Sequence, residues 1–404
     1  MLFAVIGGGA SGFMAALTAA ENHPNDKVII FEKSREVLSK VRISGGGRCN
    51  VTHQPSSPTS FAKNYPRGQS FLKKILTQFD ATDTMRWFES RGVRLKTEPD
   101  GRVFPQTNSS QTIIQCLLKQ ADQLGVEIRT GVSVKNFEII DNQFLLHLHN
   151  DAPLKVDRLI VATGGSPKMQ GFDWLTQHGH DVAPPVPSLF TFNTPQNSLR
   201  TLAGISVNPV EIRIPKLKLL SNGPLLITHW GFSGPAVLKL SAWGARELAD
   251  LNYRFQIRIN WIPGKNFDSL QSWLHDLKAK HPKQQLSAHP QFGIPARLWR
   301  WMAENAGIDR NLKLIETPHK KLNKMATQLT DGLFEVEGKT TFKEEFVTCG
   351  GIELTNINPL TMESTKIKGL FFTGEVLNVD GITGGFNFQN AWTTGYIAGK
   401  NVGQ

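Results

Sequence analysis

The chain reads as an α/β protein: a doubly wound, Rossmann-like dinucleotide-binding domain with a β-meander crossover, split by an inserted β-rich plus helical domain. Three observations predict this. The N-terminal "MLFAVIGGGASGFMAALTAAENHPNDKVIIFEKS" has the order strand, glycine turn, helix, strand, acid. Two further apolar runs end in glycine, "RLIVATGG" in the first half and "GLFFTGEV" near the C-terminus. Between them, a long stretch changes from proline-punctuated strands to amphipathic helices.

Leu2 to Ile6 is a short apolar run, as suits a buried parallel strand, and Gly7-x-Gly9-x-x-Gly12 follows it directly. Gly7 permits the tight turn, Gly9 lets the backbone approach a pyrophosphate, and Gly12 allows helix to pack on strand. Phe13 to Glu21 then reads as an Ala-rich helix, with the amide groups at its start facing the phosphates. Lys27 to Phe31 forms the second strand. It ends at Glu32, 20 residues past Gly12, where an acid takes ribose hydroxyls.

Residues 70 to 92 and 109 to 124 carry helical periodicity, and the second leads into the strand "VEIRTGVSV". The run "FEIIDNQFLLHLHNDAPLKVDRLIVATGG" describes an antiparallel meander that returns to the buried strand Leu159 to Ala162. Flavin-binding domains commonly carry such a meander as a crossover. Thr163-Gly164-Gly165 marks a second close backbone approach. Pro184, Pro185 and Pro187 favour extended backbone, so the chain leaves the first domain there. The expected organisation is a first domain from 1 to 188 and 347 to 404, and an insertion from 189 to 346. The insertion is β-rich over 189–262, helical over 263–332, and closed by a return strand over 333–346.

At 404 residues and 40% hydrophobic content, the chain suits two or three packed domains. The first basic residue is Lys27, and glycines interrupt the opening apolar run, which argues against a secretion signal. No run approaches the roughly 20 apolar residues of a spanning helix, so a soluble, cytoplasmic protein without membrane contact is expected. The three cysteines, Cys49, Cys116 and Cys349, are far apart, which excludes a CxxC dithiol and suits a reducing compartment. The formal charge is +11, and residues 253 to 324 hold 13 Lys/Arg against 5 Asp/Glu. Trp261, Trp273, Trp299 and Trp301 share that stretch. A nucleic-acid surface is conceivable there, but the reading adopted is a solvated helical face with the tryptophans packed inward. The pairs His147-x-His149 and His178-x-His180 have no third ligand nearby in sequence, and no metal is expected.

Two more stretches carry chemistry. In "KVRISGGGRCNVTH", Gly45, Gly46 and Gly47 form a loop rich in amide donors, flanked by Arg42, Ser44, Arg48 and Asn50; it suits phosphate oxygens or a planar hydrogen-bonding ring. Cys49 is read as a small buried packer rather than a group on the ring. In "GLFFTGEVLNVDGITGGFNFQNAWTTGYIAGK", Gly374 brings the backbone close to a ligand and Glu375 offers a carboxylate to a polyol chain. Gly384 and Gly385 precede a helix from Asn387 to Ala398. The start of that helix presents amides and partial positive charge, which suits the anionic N1/O2 edge of a reduced flavin.

The motifs "GGGASG", "ISGGGRCNVT", "GRVFP", "VATGG", "THWGFSGPAVLKLS" and "TGEVLNVDGITGGFNFQNAW" span nearly the whole chain. In that order they resemble the aminoacetone-oxidase-like family of FAD-binding flavoproteins, which includes the BaiN/YhiN/RdsA-type NAD(P)/FAD-dependent oxidoreductases. The resemblance implies a two-dinucleotide-type FAD-binding domain split by an insertion. It implies FAD contact by Gly7, Gly9, Ala10, Ser11 and Gly12, by Glu32 and Lys33, and by the loop from Arg42 and Ser44 through Gly45 to Asn50, Cys49 included. Val134 would lie beside the adenine. Ala162, Thr163 and Gly164, then Gly374, Glu375 and Gly385, and finally Asn387, Phe388 and Gln389 complete the set. The turn "SPKMQGFDW" is shorter than in many members. The implied function is hydride transfer through tightly bound FAD to or from a small-molecule substrate, by reduction of an enone-like C=C bond or by amine oxidation. With no second strand-GxGxxG-helix unit, NAD(P)H would dock only transiently. The alternative is a flavoprotein whose basic insertion binds RNA or DNA. "THWGFSGPAVLKLS" is expected to cover the flavin, with Ser233 as helix N-cap and Pro235 at the first helical position. No catalytic role follows from the turn residue His229.

Overall fold

The computed structural model describes residues 1–149, 151–340 and 347–404. Short apolar runs at both ends of the chain assemble one five-stranded parallel sheet. Its order is Leu370–Phe372, Arg158–Val161, Leu2–Ile6, Lys27–Glu32 and Glu127–Thr130. Phe3, Ala4, Val5, Ile30, Ile160 and Val161 are fully buried, because a parallel sheet covered by helices has no solvent face. Each such aliphatic or aromatic side chain contributes about 1.5–3 kcal/mol of burial. The chain crosses from one side of Leu2–Ile6 to the other between its neighbours Lys27–Glu32 and Arg158–Val161. A crevice opens at such a switch point beyond the carboxyl ends of the strands.

Helices Ala10–Asn22 and Phe386–Asn401 pack against each other at backbone distance. A Cβ on Gly395 would come within 2.6 Å of the Ser11 carbonyl oxygen, and one on Gly399 within 2.3 Å of that of Ala15. Trp392, fully buried, donates its indole N–H to the Val51 carbonyl at 2.8 Å, and the buried Tyr65 hydroxyl donates to the Phe386 carbonyl at 2.6 Å. The meander Val134–Ile140, Gln143–Leu148 and Leu154–Val156 forms a separate three-stranded antiparallel sheet. A second small sheet joins Thr52–His53, Arg102–Pro105 and Leu95–Thr97, and Val182–Ser188 pairs with Val347–Ile352.

Two compact units result. One takes Met1–Ser188 and, among the described residues, everything from Val347 onward; the other takes Leu189 to Thr340. The second unit is built on a seven-stranded sheet ordered Gly332–Glu337, Arg254–Asn260, Ser206–Ile214, Leu219–Ile227, Gly231–Ser233, Thr191–Asn193 and Lys339–Thr340. Helices Phe267–Lys280, Ala296–Asn305 and His319–Asp331 add Leu274, Trp299 and Met325 to its core. Trp261 and Trp299 are buried, and Trp273 and Trp301 are packed against the same core.

Several local expectations are corrected. The helix predicted over 70–92 is two, Gln69–Ile75 and Ala81–Glu89, because Asp80 and Asp83 form a reciprocal capping box that starts the second. "VEIRTGVSV" breaks after Thr130, where Gly131 takes a φ of +73°, and Val134 opens the meander instead. Helix Pro235–Trp243 is capped by Gly234 at φ +95°, not by Ser233, which remains in strand Gly231–Ser233. That helix and Ala245–Asp250 also interrupt the stretch read as β-rich. The return strand is Gly332–Glu337; its expected portion at 341–346 lies outside the described residues.

His180 is buried, with Nε2 at 2.8 Å from Ser364 Oγ, and burial holds its imidazole below the ordinary pKa of 6.5. The unfolded chain therefore takes up a proton that the folded chain resists. This stabilisation is complete above the ordinary imidazole pKa and declines as pH falls through it. Urea unfolding midpoints should drop between pH 7.5 and 5.5, and His180→Asn should show a smaller drop; equal slopes for the two proteins would rule His180 out as the cause.

Candidate functional site

At the carboxyl edge of the parallel sheet the turn from Gly7 to Gly12 is set by steric contact. Gly7 has a φ of +113°, and a Cβ on it would lie 2.3 Å from the Ala162 carbonyl oxygen. A Cβ on Gly12 would lie 1.9 Å from the Gly7 carbonyl oxygen. Helix Ala10–Asn22 starts at Gly9 with no side-chain cap, and a Cβ at Gly9 would meet nothing within 4 Å. The amides near Ala10 and Ser11 are thus left for an external acceptor.

Glu32 ends its strand and turns back to this helix start. One carboxylate oxygen accepts from the Gly8 amide at 2.8 Å; the other accepts from the Ser34 amide at 2.8 Å and from the Ser34 hydroxyl. The acid is therefore oriented by the turn it faces. Lys33 follows it, exposed.

The glycine loop grows out of helix Ser39–Gly47, which kinks at Ser44; Gly45, Gly46 and Gly47 have φ of +58°, +69° and +83°. Arg42 lies on the helical part, and Arg48 stacks over Phe104 at 4.0 Å and pairs with Glu98 at 2.7 Å. Cys49 is fully buried, and burial pushes its thiol up to about 12 while Ser44 pulls it back. That thiol packs and does not act as a nucleophile at neutral pH. Asn50 accepts from the Gly385 amide at 2.9 Å and donates to the Thr52 carbonyl at 2.9 Å, so the loop is tied to the start of the C-terminal helix.

Helix Phe386–Asn401 begins at Gly385, φ +93°, again with no side-chain cap. Because Gly395 packs on Ser11 and Gly399 on Ala15, this second uncapped start projects roughly 12 Å beyond the start of Ala10–Asn22. Asn387 is turned away from its own helix start: its side chain spans the Gly381 amide and carbonyl at 2.8 and 2.9 Å. Gln389 is fully buried, between Thr52 Oγ1 at 2.6 Å and Thr393 Oγ1 at 3.0 Å. Phe388 stacks on Trp392. These three side chains support the local backbone. Val134 stands at the head of the meander, and Ala162, Thr163 and Gly164 follow strand Arg158–Val161, with open space where a Gly164 side chain would project.

Sequence reading missed the groups that hold Glu375. Its carboxylate takes Lys40 Nζ at 2.8 Å on one oxygen and the Thr348 amide at 2.8 Å on the other, and the buried Thr348 hydroxyl has no partner among the described residues. It also missed Arg67, which grips the fully buried Asp380 with two guanidinium nitrogens, Nε at 2.6 Å; Ser188 Oγ donates to the same carboxylate at 2.7 Å. Burial raises the Asp380 pKa, and Arg67 and Ser188 oppose the rise. The Asp-Gly before the double glycine is the one sequence signal for it. Among the described residues no group of three metal-binding side chains occurs, and no helix is long and apolar enough to cross a membrane.

These features fit an FAD: two uncapped helix starts for anionic groups, an oriented acid for ribose, glycine turns that leave room for a ligand backbone, and an unpartnered hydroxyl beside Glu375. A family model described as the HI0933-like protein Rossmann domain matches residues 2–401. A 3-dehydro-bile acid delta(4,6)-reductase from Clostridium scindens is 26% identical over 98% of this chain and 97% of its own length. A ribosomal RNA dihydrouridine synthase from Haemophilus influenzae is 30% identical over the same shares, 98% and 97%. An Escherichia coli protein of the same name is 28% identical. Among solved structures, a 3-ketosteroid-delta4-(5alpha)-dehydrogenase from Rhodococcus jostii superposes with a TM-score of 0.52 at 14% identity, covering 100% of this chain and 96% of that one. That likeness concerns the fold.

Two outcomes are expected. Glu32→Ala removes two charge-assisted acceptors, each contributing about 1.5–3 kcal/mol, so FAD affinity should fall by about two to four decades. Circular dichroism should stay unchanged; equal FAD dissociation constants would make Glu32 only a strand end. Arg67→Ala leaves Asp380 buried and unpaired, which costs about 3–5 kcal/mol of stability; a second change, Asp380→Asn, should recover part of it in denaturant titrations.

Proposed function

Because the chain belongs to the HI0933-like Rossmann family of flavin-dependent oxidoreductases, we propose that it reduces a C=C bond conjugated to a carbonyl, using hydride delivered through FAD. The observation that carries this reading is what the relatives' names share. A delta(4,6)-reductase of a 3-dehydro bile acid and a synthase of dihydrouridine both describe saturation of a C=C bond conjugated to a carbonyl, one in a steroid and one in a pyrimidine. In such a reduction a hydride adds to the β carbon, a proton adds to the α carbon, and the π bond is lost.

Bound FAD supplies the two-electron carrier, recharged by NAD(P)H that docks and leaves. The chain supplies binding and electrostatics. The amides from Gly9 to Ser11 would receive pyrophosphate and Glu32 would hold the ribose. Lys40 and the Thr348 amide hold Glu375, which would meet the polyol, and the helix start after Gly385 would offer partial positive charge to the isoalloxazine ring. Asn50 and Asn387 keep that helix start in place through Gly385 and Gly381.

Two observations favour RNA as the carrier of the reduced base: two relatives named as ribosomal RNA dihydrouridine synthases, and the 13 Lys/Arg against 5 Asp/Glu of residues 253–324. In that reading the cationic insertion holds phosphates and binding weakens steeply with salt.

Anaerobic stopped-flow mixing with NADH or NADPH should bleach the flavin absorbance, and an enone or a uridine-containing RNA should restore it with a gain of two hydrogens in the product. No bleaching by either nucleotide, or reoxidation by oxygen alone, would overturn the reductase reading.

A further inference from the structure

The inserted unit contains a cavity of about 250 Å³ whose chemistry matches a ligand rather than a packing defect. Its wall includes Trp301, Asn197, Asn305, Gln328 and Trp261, and none of its lining residues is charged. Side-chain amides contribute both donors and acceptors, and Trp301 is steadied across the wall by its indole N–H to Ser198 Oγ at 3.0 Å. Among the described residues, two wall residues carry buried atoms without a hydrogen-bond partner: Trp261 Nε1, on a side chain only 1% exposed, and Gln328 Oε1. One donates and the other accepts. A dry apolar void would not leave both unpaired, because each costs about 1–3 kcal/mol when unsatisfied.

The flanks of the cavity are cationic. Arg297 precedes Trp301 by four residues on helix Ala296–Asn305, and Lys324 precedes Gln328 by four on helix His319–Asp331. Residues so spaced share a helix face. Both are exposed, and Arg297 reaches the Thr201 carbonyl at 3.1 Å, beside the turn that carries Asn197 and Ser198. A neutral, two-sided hydrogen-bonding pocket with an indole in its wall and cations one turn away fits a planar heterocycle that carries phosphate.

From this geometry we propose that the inserted unit binds a nucleotide, its base against Trp301 with hydrogen bonds to the Gln328 and Asn305 amides and its phosphate toward Arg297 and Lys324. The site needs no part of the flavin cradle, and it operates whichever substrate is reduced there. The cavity lies below the range of pockets for drug-sized ligands, about 300–1,000 Å³, so it takes a single base. The source is either a free mononucleotide or one residue of a single strand.

The test is calorimetric titration of the FAD-loaded full chain with uridine monophosphate, adenosine monophosphate and hexauridylate. Saturable binding is expected with at least one of them. Trp301→Ala should weaken it about tenfold or more through lost stacking, and Asn305→Asp, at an exposed position, should weaken it by replacing the amide donor to the base with a carboxylate. Glu32→Ala should leave it unchanged while lowering FAD affinity, which separates this site from the cofactor site. Mononucleotide binding as tight as hexamer binding would assign a free nucleotide; hexamer binding that is tighter and falls with salt would assign a single strand. Absence of saturable binding by all three probes, or binding unaffected in both Trp301→Ala and Asn305→Asp, would overturn the proposal.

Discussion

The close approach of helix Phe386–Asn401 to helix Ala10–Asn22 is the constraint on which the cofactor unit depends. Gly395 and Gly399 leave their sites to the backbone of Ser11 and Ala15; any Cβ there would sit inside the van der Waals distance of a carbonyl. Without side chains between them, the helices run parallel with Ser11 level with Gly395, so the start of Phe386–Asn401 projects roughly 12 Å beyond the start of Ala10–Asn22. Both starts lack a side-chain cap, so each leaves its orphan amides for a ligand. Two half-dipoles that elsewhere would be satisfied locally become two anion-binding points, roughly 12 Å apart along the helix axis.

That arrangement concentrates positive potential, and the chain balances it with carboxylates held in defined places. Glu32 is turned by the Gly8 amide, Glu375 by Lys40 and the Thr348 amide, and Asp380 by Arg67 and Ser188. The three differ in burial and therefore in role. Asp380 is fully enclosed and paired, which pins the segment before Gly384 and Gly385, whereas Glu32 and Glu375 remain partly open to a ligand. A buried pair adds little net stability but fixes geometry, since any displacement exposes an uncompensated charge to a low dielectric.

The inserted unit obeys a different rule. Its sheet is antiparallel, one strand alternating buried and exposed residues as in Gly332–Glu337, and its helices turn their cationic residues outward while Trp261 and Trp299 fill the core. The lysine and arginine surplus is therefore a surface property, and the tryptophans mostly a packing property. Trp301 differs in being half-buried, with its ring on the wall of a cavity that the buried Trp261 also lines.

How much of this was legible in the sequence follows from the range of each interaction. Gly7, Gly9, Gly12 and Glu32 are separated by fixed short spacings, and their roles follow from turn geometry and strand length. The parallel strands could be read because burial on both faces forces continuous apolar runs, and the meander because half-burial forces alternation. The Asp80–Asp83 capping box was readable too and was overlooked inside a longer apolar periodicity. The cap of helix Pro235–Trp243 was not readable, since Ser233 and Gly234 offer equally good signals and only strand pairing of Ser233 with Leu226 decides between them. Tertiary structure alone decided that Lys40 reaches Glu375 across 335 positions, that Arg67 reaches Asp380 across 313, and that Asn387 and Gln389 spend their amides on the backbone and on Thr52. The sequence by itself determined the cofactor turn, the acid and the parallel strands, because local sterics and burial leave few alternatives. Which charges meet, and which polar atoms stay unpaired, depends on contacts closed only when distant segments pack, and no local pattern encodes them.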